Sequence, residues 1–143
     1  MEREFYHKEL TYLSAPASAC ACRTQTGANA QAGKIIGAAF EVYKTLGYGF
    51  LEKVYEGALV RELQLRGLNS KDQHPIKVNY KGAEIGDYYA VVEDKVIVEL
   101  KTGEGFDPMH EAQLLNYLKA TGIKVGLLIN FGPEKCEHKR LVY

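Results

Sequence analysis

The sequence predicts an α/β fold: two helices, three strands, a third helix and two closing strands, with a mixed β-sheet against helical layers. Three observations carry this. A helical apolar period runs through residues 34–46 and again through 50–66. Alternation of apolar and polar residues, rich in β-branched types, takes over between residues 76 and 101. A further helical stretch, Met109 to Ala120, separates that block from the apolar run Lys124 to Phe131, whose continuity suggests cover on both faces.

The elements follow in order. Residues 1–12 are charged and aromatic, with Phe5, Leu10, Tyr12 and Leu13 able to dock weakly on a core. Residues 14–33 are small and polar without an apolar period, which reads as a mobile loop or linker, although the alanines permit some helix. The organisation expected is therefore an N-terminal segment, 1–33, and one domain, 34–143. From Lys34, Ile35, Ile36, Ala39, Phe40 and Tyr43 fall on one helical face, and Gly47-Tyr48-Gly49 ends the pattern. Phe50 to Arg66 follows, with Leu51, Val54, Tyr55, Ala58, Leu59 and Leu63 inward and Gly67 as the C-cap. Two helices joined by so short a turn pack as an antiparallel pair.

Ile76, Val78 and Tyr80 then alternate as a strand, and Lys81-Gly82 turns the chain. Ile85 to Val92 is the second strand, Glu93-Asp94 a tight turn, and Lys95 to Lys101 the third strand. Asp107 is placed to cap the next helix, with Pro108 at its first position and Gly122 beyond its end. Gly132-Pro133 turns the chain after Phe131, and Lys139 to Tyr143 forms a short edge strand.

Composition bounds the function. A chain of 143 residues suits one core. Its 18 basic and 18 acidic residues cancel, so no global field draws in a polyanion, although a local basic groove is compatible with that balance. There is no run of about 18 apolar residues, so no spanning helix is expected, and the opening Met1 to Glu9 lacks a signal-peptide core. A cytoplasmic location is the expectation. Cys20, Cys22 and Cys136 make an odd set that argues against a disulfide framework, and Cys20-Ala-Cys22 is too tight for a zinc site, so free thiols in a loop are expected there.

Chemistry concentrates in Val96-Ile-Val-Glu-Leu-Lys-Thr102. Alternation puts Glu99 and Lys101 on one face and Val98 and Leu100 on the other. A charged pair at the end of an apolar strand needs a reason, because burying an unpartnered charge is costly. One reason is a metal-ligating Glu followed by a Lys that orients or activates water. The other is a strand-end ion pair reaching solvent. Upstream, Gly49-x-x-Glu52-x-x-Tyr55 puts Glu52 one turn from Tyr55, but an acid at a helix start is equally explained by the helix dipole. Downstream, Gln113 and Tyr117 are i, i+4 and share a face with His110. These too read either as part of a site or as a pair at the edge of a packed helix. Leu114 rules out a zincin signature after His110-Glu111.

Taken together and in order, Gly49-Phe-Leu-Glu-Lys-Val-Tyr55, Val96-Ile-Val-Glu-Leu-Lys101, His110-Glu-Ala-Gln-Leu-Leu-Asn-Tyr-Leu118 and Gly122-Ile-Lys-Val-Gly-Leu-Leu-Ile-Asn-Phe131 resemble the GxxExxY proteins of the PD-(D/E)XK nuclease superfamily, over roughly residues 34–143. The resemblance implies a PD-(D/E)XK nuclease-like core and a Mg²⁺- or Mn²⁺-dependent phosphodiester hydrolase acting on DNA. It implies that Glu52, a strand Asp and Glu99 surround the metal, and that Lys101 and Gln113 join Glu99 as catalytic residues. Gln113 and Tyr117 are implied to lie beside the nucleic acid. Hard oxygen ligands suit Mg²⁺.

The chain departs from that family's pattern twice. The strand Asp normally stands about ten residues before the Glu of the E-x-K motif, in a run like Tyr-Ala-Asp-Leu-Val-Val. Here the chain reads Tyr88-Tyr89-Ala90-Val91-Val92, with Asp-Leu missing and Tyr89 at the Asp's distance. Asp87 has the right parity but lies about 6.6 Å further along, and using it as the metal ligand requires a two-residue slide and loss of the Glu93-Asp94 turn. The second departure is the low-complexity stretch 14–33, an insertion tolerable in a surface loop. Two functions remain open: an active or degenerate nuclease, and a non-catalytic nucleic-acid- or protein-binding module that keeps the fold. A protein with no site would instead send the Glu99 and Lys101 heads into solvent.

Overall fold

A computed structural model describes the backbone of residues 19–143 and the side chains of residues 27–71, 77–78, 80–86 and 92–143. The docking residues expected within 1–13, and the segment 14–18, lie outside it. Helices α1 (Ala19–Leu46) and α2 (Glu52–Leu65) lead into β1 (Ser70–Tyr80), β2 (Ala83–Val92) and β3 (Val96–Lys101). Helix α3 (Pro108–Thr121) precedes β4 (Val125–Phe131) and β5 (Cys136–Val142). The strands form one five-stranded sheet in sequence order. All pairings are antiparallel except β3–β4, which is parallel, as the crossover through α3 requires.

The two faces of the sheet are covered by different helices. Val96 and Val98 of β3, with Val125, Leu127, Ile129 and Phe131 of β4, pack against Ile35, Ala39 and Val42 of α1 and Tyr55, Leu59 and Leu63 of α2. Ile97 and Leu128, on the opposite parity, pack against Leu114 and Leu118 of α3. Every residue of β4 is buried, in line with its continuous apolar run. Each large side chain fully buried here contributes about 1.5–3 kcal/mol. Gly126 sets how close α3 comes: a Cβ there would lie 2.9 Å from the Leu114 side chain.

Tyr55 pins the turn between α1 and α2. It is fully buried and stacks on Phe131 with ring centres 4.3 Å apart. Its hydroxyl donates to Gly47 O at 2.6 Å and accepts from Phe50 N at 3.4 Å. The β2–β3 turn is pinned as well. Lys95 N donates to Val92 O at 3.0 Å, and Glu93 and Asp94 take left-handed φ values of 54° and 53°. Glu93 exchanges two bonds with Asn69, N to O at 2.8 Å and Oε1 from N at 2.6 Å. Asp94 pairs with Lys71 at 3.0 Å.

Several expectations need correction. Helix α1 begins at Ala19, so residues 19–33, read as a loop, are helical, and Cys20 and Cys22 stand in a helix. Buried Ala28 and Ala32 extend the stripe of Ile35, Ala39 and Val42, at a spacing the small side chains conceal. Phe40 lies off that stripe and is 45% exposed. Leu51 is the N-cap of α2 and not part of its inner face, and Val54 is also exposed. Strands β1 and β5 start earlier than their apolar residues suggest, at Ser70 and Cys136.

Candidate active site

Glu99 and Lys101 share the sheet face of Ile97, the face covered by α3. Lys101 Nζ lies 2.9 Å from Glu99 Oε1, and the side chains are 18% and 13% exposed, respectively. Both side chains are therefore mostly buried. A pair this far from water is stabilised by mutual attraction against the cost of desolvating both charges. Its second effect is placement: carboxylate and ammonium are held together where β3 ends.

Helix α3 brings the next pair. Asp107 caps it, accepting from Met109 N at 2.7 Å, while His110 Nδ1 accepts from Asp107 N at 3.4 Å, so His110 is spent on the cap. One turn on, Gln113 Nε2 donates to Tyr117 Oη at 2.5 Å. Tyr117 packs on the Ile97–Leu114–Leu118–Leu128 cluster. Gln113 and Tyr117 thus belong to the layer that covers the Glu99–Lys101 face of the sheet.

The other two candidates come from different elements. Glu52 is the first residue of α2, exposed, in the layer on the opposite face of the sheet, held there by Tyr55 one turn later. Asp87 lies in β2 opposite Ile76 of β1, and its side chain is outside the described residues. The β2–β3 ladder ends at Ala90↔Val98; the same register continued sets Tyr89 level with Glu99 and Asp87 level with Lys101. The Glu93-Asp94 turn is in place, so β2 has not slid by two residues. Among the described residues, no three His, Cys, Asp or Glu side chains gather as a metal-ligating group. Glu99 offers the hard oxygen donor a divalent cation needs, but the described side chains do not complete a ligand set around it.

One polar residue within this face escaped the sequence reading. Asn130 pairs with Lys101 in the parallel ladder and is fully buried. Its Nδ2 donates to Gly103 O at 2.9 Å, tying the loop after β3 to β4. The signal was visible: a lone amide in the otherwise apolar run Val125–Phe131. Beside it, Tyr43 Oη donates to Gly132 O at 2.7 Å, and burial, with the nearby Cys136, raises the Tyr43 pKa. A cleft of about 350 Å³ opens near these strand ends, lined by Glu104, Gly132, Pro133, Glu134, Lys135 and Glu137, none of them an expected site residue. Its lysine is held protonated by its hydrogen bond to Glu137.

Comparison with known proteins agrees with this architecture. Residues 29–141 match the PD-(D/E)XK nuclease superfamily, and the chain belongs to that superfamily. The fold is similar to that in "Crystal structure of SSO0001", with a TM-score of 0.51 and 18% identity over 64% of this chain. The match spans 50% of that protein's length. No curated protein sequence matches. Among the described residues no helix is long and apolar enough to cross a membrane.

Proposed function

We propose that this chain is a degenerate member of the GxxExxY group: a Mg²⁺- or Mn²⁺-dependent phosphodiester hydrolase site for DNA with a depleted set of carboxylates. The observation that carries this reading is the largely buried Glu99–Lys101 pair at the end of β3, under the helix that bears Gln113 and Tyr117. In this reading Glu99 is the principal oxygen ligand, with Glu52 as a further carboxylate and Asp87 as the doubtful third. A divalent cation held there would acidify a water and offset charge on the phosphate. Lys101 orients the attacking water or takes its proton. Gln113 and Tyr117 present an amide and a phenol to the nucleic acid.

A second reading has one observation in its favour. The β2–β3 register, continued one step beyond Ala90↔Val98, would set Tyr89 level with Glu99, and in this reading a phenol there does not replace the hard anionic ligand that the resemblance implies. A non-catalytic nucleic-acid- or protein-binding module would keep the fold and dispense with the metal.

Calorimetric titration of Mg²⁺ and Mn²⁺ into the protein and into Glu99→Gln separates the two. Weak binding that disappears in the variant supports the hydrolase reading; no binding to either protein supports the binding module. Insertion of Asp-Leu after Ala90 should strengthen cation binding and bring on cleavage of single- or double-stranded DNA. An inserted variant that folds and still fails to cleave would show that the lost carboxylate is not the only defect.

A further inference from the structure

The turn between α1 and α2 is fixed in its backbone and apolar on its surface. Gly47 and Gly49 take φ values of 70° and 113°, open to glycine and strained for other residues. The buried Tyr55 hydroxyl holds both arms, donating to Gly47 O at 2.6 Å and accepting from Phe50 N at 3.4 Å. The Phe50 and Tyr55 rings meet near a right angle, with centres 6.1 Å apart. A turn held from inside has no need of large apolar side chains outside. Yet Tyr48 is 53% exposed, Phe50 46% and Leu51 78%, and Val54 follows, exposed, one turn later. Single apolar residues are ordinary on a surface, but a contiguous set marks a contact.

Location narrows the partner. Tyr55 stacks on Phe131 and Tyr43 donates to Gly132 O, so the turn is anchored at the carboxyl end of β4. Asn130, the residue before Phe131, is level with Lys101 in the parallel ladder. The exposed side chains and the Glu99–Lys101 pair therefore share one edge of the sheet, the edge at which open α/β sheets present ligands. Size narrows it further. Tyr48, Phe50, Leu51 and Val54 fall far short of the roughly 20–30 residues a side of a standard protein interface. They match the faces of about one or two nucleobases, at one base per aromatic ring. Charge points the same way. Lys44 and Lys53 flank the patch, but Glu52 and Glu56 offset them, and Lys53 is paired with Glu56 at 3.0 Å. The patch is thus no phosphate clamp, and what it attracts is a planar, apolar face. In a duplex those faces are stacked away, so the base must be unpaired.

We propose that Tyr48 and Phe50, backed by Leu51, form a stacking platform for unpaired bases, and that the nucleic acid this chain takes is single-stranded or frayed at its end. The proposal deepens the nucleic-acid reading of the Glu99–Lys101 edge and rests on it. Stacking tolerates any base, since each has a π-face. A chain of zero net charge gains little from long-range attraction to phosphates, which leaves stacking as the main attraction at this turn.

The test uses the full chain with EDTA present, so it does not depend on a metal ion. Fluorescence anisotropy follows binding of a labelled single-stranded DNA carrying 5-iodouracil, and of a blunt duplex of the same sequence. Irradiation then cross-links the iodinated base to the aromatic ring on which it lies, and peptide mass spectrometry locates the adduct. The single strand should bind more tightly than the duplex and cross-link at Tyr48 or Phe50. Tyr48→Ala should weaken single-strand binding roughly tenfold, and Tyr48→Phe, which keeps the ring, should restore it. Tyr48→Ala/Phe50→Ala should weaken it further. Phe50 packs on Tyr55, so if that double variant fails to fold, the two Tyr48 variants decide. Single-strand binding that Tyr48→Ala leaves unchanged, or an adduct outside residues 48–54, overturns the platform and leaves the nucleic-acid reading standing. Binding to neither DNA overturns both. A dimer in sedimentation that Tyr48→Ala dissociates would assign the patch to a second copy of this chain and overturn the proposal.

Discussion

The two faces of the β3–β4 pair are built on opposite principles. Toward α1 and α2, Val96, Val98, Leu100, Val125, Leu127, Ile129 and Phe131 are apolar from end to end. Toward α3, Ile97, Gly126 and Leu128 are apolar, but the strands finish in Glu99, Lys101 and Asn130. The first face can be explained by packing alone. The second changes character along its length, and the change falls at the carboxyl ends of two parallel strands, where open α/β sheets present ligands. A polar ending on one face and not the other means that the polarity is confined to that face and is not a sheet fraying into solvent.

That contrast can be broken from either side. The largest effect is expected at Phe131, which stacks on Tyr55 at the heart of the apolar face. Phe131→Ala should cost about 3–5 kcal/mol in urea unfolding and loosen the Tyr55-held turn that presents Glu52. On the other face, Gly126→Ala should cost about 1–3 kcal/mol, since its Cβ would press on Leu114. Adding Leu114→Ala should then cost less than it does in the wild-type chain, a coupling measurable by a double-mutant cycle. The smallest effect at neutral pH concerns Cys136 at the rim of the apolar face. Burial, with Glu137 nearby, raises its thiol from the ordinary 9.0 to about 11. The folded state therefore holds this proton more tightly than the unfolded state. The contribution is fully present below pH 9.0 and is lost as pH climbs toward about 11. Stability measured against pH should fall more steeply over that window in the wild type than in Cys136→Ala.

Much of this architecture could be read directly from the residues, and the misses have physical causes. Periodicity found the core elements because β-branched runs and glycine stops are strong local signals. It failed at residues 19–33, where alanines bury a helix face without looking hydrophobic. It failed at Ser70, whose strand is held by pairing with β2 and by the Asn69–Glu93 bonds, not by its own composition. At the site, parity placed Glu99 and Lys101 together, and helical spacing placed Gln113 beside Tyr117. What spacing does not carry is the layer from which a distant segment approaches. Helix α2, which carries Glu52, packs on the face of the sheet opposite α3, and Asn130 was hidden inside an apolar run.

The stapled turn at Glu93-Asp94 has a consequence for how such a chain tolerates loss. Two residues is the smallest deletion from a strand that leaves every remaining side chain facing the way it did. Loss of one residue would turn the strand's core inside out. With Asn69 and Lys71 clamping the turn, a change in the length of β2 would be taken up along the β1–β2 hairpin, toward its tip at Lys81-Gly82. Such a fold can therefore lose residues two at a time from its second strand and keep its architecture.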